Sequence, residues 1–558
     1  MRKISRFAVA ALICGGLISA FAREPVRTRH AMVVSQEPLA TDVGVEVLKS
    51  GGNAVDAAIA VAFALAVTHP SAGNLGGGGF LLLRFADGRT TFFDFRERAP
   101  LSAGHDMYLD SNGKPTDGSR IGWRASGVPG TVKGLEAAHR KYGRKPWPEL
   151  VAPAVRLARD GVELTFWEAR SIQQSDRQME RFPESKRIFL NEGQPFEAGD
   201  RLTQPELAET LARIAKYGAK DFYEGETAER LVAQMARNGG NITVEDLKAY
   251  EVVERRPLTG SYRGYDIVSA PPPSSGGIGL LQMMGMLEGS GYEKPGAGSA
   301  ASTHYLAEVM RRYYADRAAF LGDPDFVKIP VSGLVNPKYA KKLAANIDRA
   351  KATPSDEIRA GDPAPYESTE TTHLNVIDAD GNIAALTYTL NGSYGSGVTV
   401  PGLGFLMNNE MDDFTTKPGE PNMFGLVQGE ANSIVPRKRP LSSMTPTIVL
   451  RDGKPYIVAG APGGSRIITG VLQVILNVLD FGMTIQESVD QPRLHHQWKP
   501  DKLYLEKGFS PDTKAILENM GHRLDEAATV ASVEAILIDG RWLQGAQNGR
   551  SSGKAAGY

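Results

Sequence analysis

Residues 371–391 read TTHLNVIDADGNIAALTYTLN, with apolar residues alternating on both sides of a central Asp380-Gly381. Two alternating runs joined by a short glycine-containing loop predict a β-hairpin whose glycine takes the left-handed conformation. With Asp380 at the loop centre, Thr371 faces Thr389 at the open end of the hairpin. The two threonine hydroxyls are therefore expected to lie side by side.

Asp-Gly pairs separate apolar runs at three further places, namely Asp87-Gly88, Asp452-Gly453 and Asp539-Gly540. Each pair predicts another hairpin. Because hairpins occur on both sides of residue 371, both parts of the chain should contribute strands to antiparallel sheets.

Helix signals are concentrated in the first two thirds of the chain. Thr41 and Asn53 are predicted N-caps of two successive helices, the second of them nearly all apolar and therefore buried. Further helices are predicted at residues 148–159, 205–216, 226–237 and 303–320. Buried helices that cover antiparallel sheets predict an α+β fold, a four-layer αββα sandwich of two stacked sheets flanked by helices.

Residues 1–22 combine a basic start, an apolar run and the small-x-small ending Ala20-Phe21-Ala22. This pattern predicts a signal peptide cleaved after Ala22, and hence a periplasmic or secreted protein. The apolar run is shorter than the roughly 20 residues that span a bilayer, so we expect no membrane attachment after its removal. The single cysteine, Cys14, lies in this segment, which excludes disulfides and thiol catalysis from the mature protein.

The composition favours small molecules over polyanions as partners. The formal net charge is −1 and no basic cluster resembles a nucleic-acid footprint. The nine histidines are scattered without an HExxH motif, so no metal site is predicted. No linker or repeat divides the 558 residues, which favours one compact unit. Residues 351–370, rich in proline and acidic residues and poor in apolar ones, predict a mobile segment that leads into the strand at Thr371.

The stretch around Thr371 resembles the start of the small subunit of γ-glutamyltransferases, N-terminal-nucleophile enzymes that cut their own precursor before a threonine. Similar blocks extend from about His30 to Pro100, over Pro271–Gly277, and from Thr371 to about Gly508. The resemblance implies the same αββα fold and self-cleavage between Glu370 and Thr371. The products are a large subunit, residues 23–370, and a small subunit, residues 371–558, which stay associated.

Cleavage before Thr371 gives this residue both groups that acyl transfer needs. Its hydroxyl is the nucleophile, and its free α-amino group, with a pKa near roughly 8, is the base that activates it. Thr389, opposite in the hairpin, is placed to orient the hydroxyl. The competing nucleophile is Ser442 or Ser443, although the chain has no G-x-S-x-G motif, and its one S-x-x-K lies in a glycine-rich tail.

Further site residues follow from chemistry together with the resemblance. Gly463 and Gly464, between a predicted strand and a predicted helix, correspond to the family's oxyanion-binding pair; a tight turn without a ligand is the alternative from the residues alone. A γ-glutamyl donor carries an α-carboxylate and an α-ammonium, which call for a cation and for carboxylates. The resemblance places Arg96, Ser442 and Ser443 at the carboxylate, and Asn391, Glu410 and Asp413 at the ammonium.

Two loops complete the prediction. Residues 418–425 resemble the lid of lid-bearing family members, with Phe424 as its aromatic residue. Asn74 and Gly76–Gly79 lack the spacing of a phosphate-binding loop, so close backbone packing beside the active site is the preferred interpretation.

The resemblance implies glutathione and other γ-glutamyl amides as donors, and water, amino acids or short peptides as acceptors. The mechanism requires no metal and no organic cofactor. Two alternatives remain: a related acylase of the cephalosporin or glutaryl type, and an exported binding protein that keeps the pocket but is never processed.

Overall fold

The computed structural model describes residues 23–363 and 375–558. The predicted signal peptide, the predicted cleavage site and Thr371 lie outside the described residues. Two large sheets, here called sheet A and sheet B, form the centre of the fold.

Both sheets have seven strands and antiparallel neighbours. In spatial order, sheet A consists of Val26–Thr28, Trp542–Ala546, Glu534–Asp539, Lys454–Gly460, Thr447–Arg451, Tyr265–Ser269 and Leu258–Tyr262. Sheet B consists of Lys554–Gly557, Met32–Ser35, Asn375–Ile377, Ile383–Thr389, Gly78–Arg84, Thr90–Phe95 and Val253–Arg255. Smaller sheets are formed by Leu494–His495, Leu503–Leu505 and Leu524–Glu526, by Val162–Glu163 and Arg201–Leu202, and by Leu190–Asn191 and Gln194–Pro195.

The α-helices lie mainly before residue 350, as the sequence predicted. In chain order they are Pro38–Lys49, Ala54–Thr68, Thr131–Tyr142, Trp147–Asp160, Phe166–Gln174, Asp176–Met179, Pro183–Phe189, Pro205–Tyr217, Ala219–Glu224, Glu226–Arg237, Val244–Lys248, Gly276–Leu287, Ala300–Phe320, Val331–Leu334, Pro337–Ala344, Ile467–Leu479, Ile485–Asp490 and Pro511–Asn519. Within the described residues, no helix is long and apolar enough to cross a bilayer.

The strand Gly78–Arg84 shows why the fold has four layers. All its residues are buried, which requires a packed layer on each face. Leu81 and Leu83 belong to a core that includes the helix Ala54–Thr68. Phe80 and Leu82, on the opposite face, belong to a core shared with sheet A and with helices beyond it. The predicted αββα sandwich is therefore confirmed.

The starts of the first two helices test the predicted N-caps. Asn53 caps Ala54–Thr68 through a capping box with Asp56, as predicted, and all 15 helix residues are buried. The prediction for Thr41 is wrong: the helix begins at Pro38, and the Glu37 carboxylate accepts the Ala40 N–H at 3.0 Å. Proline suits the first turn because its missing N–H would have no partner there.

The hairpin has the predicted register. Asn375 pairs with Ala385 and Ile377 with Ile383, so that paired positions are symmetric about Asp380. Gly381 has φ +87°, in the left-handed region. The other three Asp-Gly pairs also connect neighbouring antiparallel strands. The position of Thr371 opposite Thr389 stays a prediction, because Thr371 is outside the described residues.

Strands from before and after residue 371 pair with each other in both sheets. In sheet B, Ile383–Thr389 pairs with Gly78–Arg84, and Asn375–Ile377 pairs with Met32–Ser35. In sheet A, Thr447–Arg451 pairs with Tyr265–Ser269. Neither part of the chain can therefore complete a sheet without the other.

The described part of the predicted mobile segment, residues 351–363, contacts the body of the protein. The Thr353 hydroxyl donates to Glu308 Oε2 at 2.6 Å. The Ser355 and Gly361 N–H groups donate to carboxylates of Asp501 and Asp316 at 2.9 and 2.8 Å. Residues 364–370 lie outside the described residues.

The glycine run beside the hairpin allows a very close backbone approach. A Cβ atom on Gly77 would lie 2.0 Å from the Thr389 carbonyl oxygen, and one on Gly79 would lie 2.4 Å from that of Thr387. Asn74 Oδ1 accepts the Gly77 N–H at 3.0 Å and fixes the turn that enters the run. Close packing beside the active site, the preferred interpretation of these glycines, is confirmed.

We predict that Gly77→Ala lowers the free energy of unfolding by about 3 kcal/mol or more, because the backbone of two paired strands must separate to admit a methyl group. Thermal unfolding followed by circular dichroism measures the change. Gly104→Ala is the matched control, since a Cβ there meets nothing within 4 Å. Equal melting temperatures for the two variants would contradict the prediction.

Candidate active site

One cavity of about 440 Å³ opens where the strands Ile383–Thr389 and Lys454–Gly460 end. Apart from Thr371, every site residue predicted from the sequence lines it. These residues are Arg96, Thr389, Asn391, Glu410, Asp413, Phe424, Ser442, Ser443, Gly463 and Gly464. The structure thus brings together residues from widely separated parts of the chain, while their individual roles stay predictions.

The end of the hairpin is held in a defined conformation. Thr389 Oγ1 accepts the backbone N–H of Asn391 at 2.8 Å. Asn391 has φ +76°, a left-handed conformation in which asparagine is tolerated, and its side chain donates to the Asn409 carbonyl at 3.0 Å. Among the described residues the Thr389 hydroxyl donates no hydrogen bond, so its hydrogen is available for a group opposite it, the predicted position of Thr371.

Arg96 is fully buried and surrounded by carboxylates. It forms ion pairs with Glu410 and with Asp413, the latter at 2.5 Å from Nη2, and its Nη1 lies 3.7 Å from Glu97. Burial raises the pKa of Glu97, Glu410 and Asp413, although Arg96 opposes the shift. Burial alone would lower the pKa of Arg96, but the three carboxylates raise it above its ordinary value. One guanidinium therefore faces three acids, and the cluster can accept a further cation.

Ser442 and Ser443 lie on a loop that rests on the segment Pro271–Gly277. The Ser442 N–H donates to the Pro273 carbonyl at 2.8 Å, and the Ser275 hydroxyl donates to the Ser442 carbonyl at 2.7 Å. Through these contacts the Pro271–Gly277 segment, one of the blocks that resemble the family, supports the loop that carries the two serines.

Gly463 and Gly464 form the turn between a strand of sheet A and the helix Ile467–Leu479. Their φ values are +145° and +57°, a region that favours glycine. Within the described chain, neither backbone N–H donates a hydrogen bond to a protein acceptor. Two unpaired N–H groups at a helix start can stabilise a developing negative charge on oxygen.

The predicted lid, residues 418–425, covers one side of the cavity. Phe424 is half-buried, and its ring packs so closely on Gly464 that a Cβ there would lie 2.6 Å from the ring. Gln497 donates to the Phe424 carbonyl at 3.0 Å, and the Met423 N–H donates to Asp412 at 2.9 Å. These contacts hold the segment against the cavity, and its role as a mobile lid stays a prediction.

Sequence reasoning missed Arg317, whose Nη2 donates to the Ser443 hydroxyl at 3.1 Å. The helix Ala300–Phe320 that carries it is buried over residues 302–317 yet contains several charged residues. Charges on every side of a long helix were the available signal, because such a helix can be buried only if those charges find partners.

Among residues 23–363 and 375–558, no group of three or more histidine, cysteine, aspartate or glutamate side chains could hold a metal ion. The groups that line the cavity include hydroxyls, two guanidinium groups, an imidazole and carboxyl groups, together with the backbone N–H groups of Gly463 and Gly464.

Comparison with known proteins agrees with this geometry. The chain is 49% identical to the glutathione hydrolase proenzyme of Escherichia coli over 100% of its own length and 99% of the relative's. A solved chain of Helicobacter pylori γ-glutamyltranspeptidase is 44% identical, with a TM-score of 0.59, and covers 60% of this chain and 96% of its own. Cephalosporin acylase from Bacillus halodurans superimposes with a TM-score of 0.85 at 26% identity, over 96% of this chain and 97% of that one.

The αββα sandwich, with a cavity at the end of a central hairpin, defines an N-terminal-nucleophile hydrolase. Within that class, the profile of the γ-glutamyltranspeptidase family matches residues 40–558. The chain belongs to this family.

We predict that Glu410→Gln stabilises the protein more at pH 8 than at pH 5. The folded-state pKa of Glu410 is raised by burial, so the folded protein binds a proton that the unfolded chain releases, and stability falls as the pH rises through this range. The substitution removes that loss. Melting temperatures of Glu410→Gln and of wild type at both pH values measure the gain in stability, with exposed Glu420→Gln as the control. A lower melting temperature at both pH values would mean that the ion pair with Arg96 outweighs burial.

Proposed function

We propose that this protein is an exported γ-glutamyltransferase and glutathione hydrolase that uses Thr371 as its nucleophile. The observation that carries the proposal is the cavity at the hairpin end, where a cluster of opposite charges adjoins Thr389 and two unpaired N–H groups. Near 50% identity to a glutathione hydrolase proenzyme over the whole chain supports the same activity.

The donor's α-amino acid group fits the charged end of the cavity. Its ammonium binds Glu410, Asp413 and Asn391, and its positive charge stabilises the ionised form of the two acids, whose pKa burial raises. Its carboxylate binds the hydroxyls of Ser442 and Ser443, with Arg96 nearby. Charge-assisted hydrogen bonds of this kind fix the orientation of the γ-carbonyl relative to the nucleophile.

Acyl transfer then proceeds in two steps on Thr371. Its α-amino group takes the hydroxyl proton, Oγ forms a bond to the γ-carbonyl carbon, and the leaving amine departs with that proton. Gly463 and Gly464 stabilise the oxyanion, and Thr389 orients the hydroxyl. Water or the amine of an amino acid or peptide attacks the resulting ester, and Thr371 recovers its proton.

The N-terminal threonine arises when the precursor cleaves itself. The Thr371 hydroxyl attacks the Glu370 carbonyl, the peptide bond becomes an ester, and water hydrolyses that ester. The fragments 23–370 and 371–558 remain together because their strands pair with each other in both sheets. The name proenzyme given to the Escherichia coli relative supports a processed precursor.

Export follows from residues 1–22, which have the pattern of a signal peptide cleaved after Ala22. The protein is then periplasmic or secreted. Its substrates are small molecules, and no part of the mechanism calls for a nucleic acid, a membrane or a cofactor.

The alternative function is that of an acylase, favoured by the superposition on cephalosporin acylase. A glutaryl group has a carboxylate but no ammonium, so it leaves the acids around Arg96 unmatched. The charge of this cluster therefore favours γ-glutamyl donors.

We predict that intact-mass spectrometry of the purified mature protein shows two fragments divided between Glu370 and Thr371. Thr371→Ala should give one uncut chain, because no hydroxyl remains to attack. Thr372→Ala, which alters the neighbouring threonine, is the matched control and should be cut normally. A single intact wild-type chain that binds glutamate or glutathione would instead identify a non-processed binding protein.

We predict that Asp413→Asn lowers kcat/KM for a γ-glutamyl anilide by about a hundredfold, since an interaction with the donor ammonium is worth roughly 1.5–3 kcal/mol. Activity on a glutaryl anilide should change less than about threefold, because that donor has no ammonium. Initial rates of aniline release measure both. A wild-type preference for the glutaryl donor would establish the acylase instead.

A further inference from the structure

Arg317 is a buried cation whose hydrogen-bond acceptors among the described residues are all uncharged. It is 2% exposed on the helix Ala300–Phe320. Its Nε donates to Ser275 Oγ at 2.9 Å, Nη1 to Gln428 Oε1 at 3.2 Å and Nη2 to Ser443 Oγ at 3.1 Å. All three acceptors are uncharged, and no described carboxylate forms an ion pair with Arg317.

Neighbouring arginines on the same helix are neutralised. Arg311 and Arg312 are also buried, and both form ion pairs with Glu308. A buried guanidinium is costly unless a negative charge compensates it. The charge of Arg317 acts on Asp413, but Asp413 pairs directly with Arg96. Arg317 can therefore still compensate a bound anion.

The hydroxyls next to Arg317 are prepared to donate into the cavity. Ser443 Oγ accepts from Arg317, and Ser442 Oγ accepts the Met444 N–H at 3.2 Å. Because each oxygen already accepts a hydrogen bond, each hydroxyl hydrogen is free to point at a ligand. Both serines line the cavity. Two hydroxyl donors, with the Arg317 guanidinium hydrogen-bonded to one of them, can bind an anion.

Arg96 cannot supply this positive charge by itself. It is committed to Glu410 and Asp413, with Glu97 close by. The side-chain partners of Arg96 are therefore carboxyl groups, whereas those of Arg317 are hydroxyl and amide oxygens.

We propose that Arg317 is a positioning residue for the donor's α-carboxylate and supplies its counter-charge through Ser443. Through the Ser275 hydroxyl, which donates to the Ser442 carbonyl, it also fixes the second serine. The α-ammonium lies towards the acids around Arg96. The donor's two charges thus meet opposite charges at two sides of the cavity. This inference rests on the proposed function.

The test compares two donors that differ only in the α-carboxylate: a γ-glutamyl anilide and a 4-aminobutyryl anilide, which keeps the ammonium. Arg317→Met should lower kcat/KM for the γ-glutamyl donor about ten- to a hundredfold, mainly through KM. The variant and wild type should differ less than about threefold on the 4-aminobutyryl donor. Arg317→Lys keeps the charge and should recover part of the loss.

Arg312→Met is the matched control, since it removes a buried arginine from the same helix without changing the cavity wall. It should leave the ratio of kcat/KM for the two donors as in wild type. Equal losses on both donors for Arg317→Met would show a purely structural role and overturn the inference.

If Arg317→Met does not fold, Ser275→Ala provides the test, because it breaks the link to Ser442 and keeps the arginine. It should affect only the γ-glutamyl donor, by about three- to tenfold, and equal losses on both donors would overturn the inference. Inactivity of the wild type on the γ-glutamyl anilide would contradict the proposed function itself.

Discussion

The backbone ladder between Ile383–Thr389 and Gly78–Arg84 determines where the rest of the site lies. Its seven paired positions run from Ile383 with Arg84 to Thr389 with Gly78. Glycines at the end of the ladder let the chain pass Thr389 without displacing it. A ladder buried on both faces cannot shift by one residue, because every side chain would change layers. The hairpin end is therefore a rigid support for chemistry.

Charge is the second constraint on this cavity. A carboxylate or guanidinium taken out of water is costly, and the chain only partly offsets that cost internally. Arg96 shares its charge among several acids, and Arg317 has neutral partners. Under the proposed function, a zwitterionic donor places its ammonium beside the acids around Arg96 and its carboxylate towards Arg317. A ligand that lacks either charge leaves a buried charge of the protein unmatched and binds more weakly, and this difference in affinity is the source of specificity.

The sequence predicted the features that depend on neighbours along the chain. Hairpin register, Asp-Gly turns, the Asn53 cap and the helix Glu226–Arg237 all follow local rules. The Thr41 cap was wrong because Pro38 and Glu37 start the helix earlier. The site residues came from resemblance, and their convergence could not be worked out locally: Arg96 meets Asp413 across 317 positions, and Arg317 meets Ser443 across 126. Such contacts depend on how the two sheets and the flanking helices pack against each other.

The two ends of the described chain lie next to each other. Val26–Thr28 pairs with Trp542–Ala546, and the Tyr558 carbonyl accepts the N–H groups of Arg29 and His30 at 3.2 and 2.8 Å. Joining these ends by a short linker would leave both sheets intact. A circular permutant of this fold can therefore begin with Thr371 directly after its initiator methionine is removed, and its nucleophile would be free without any internal cleavage.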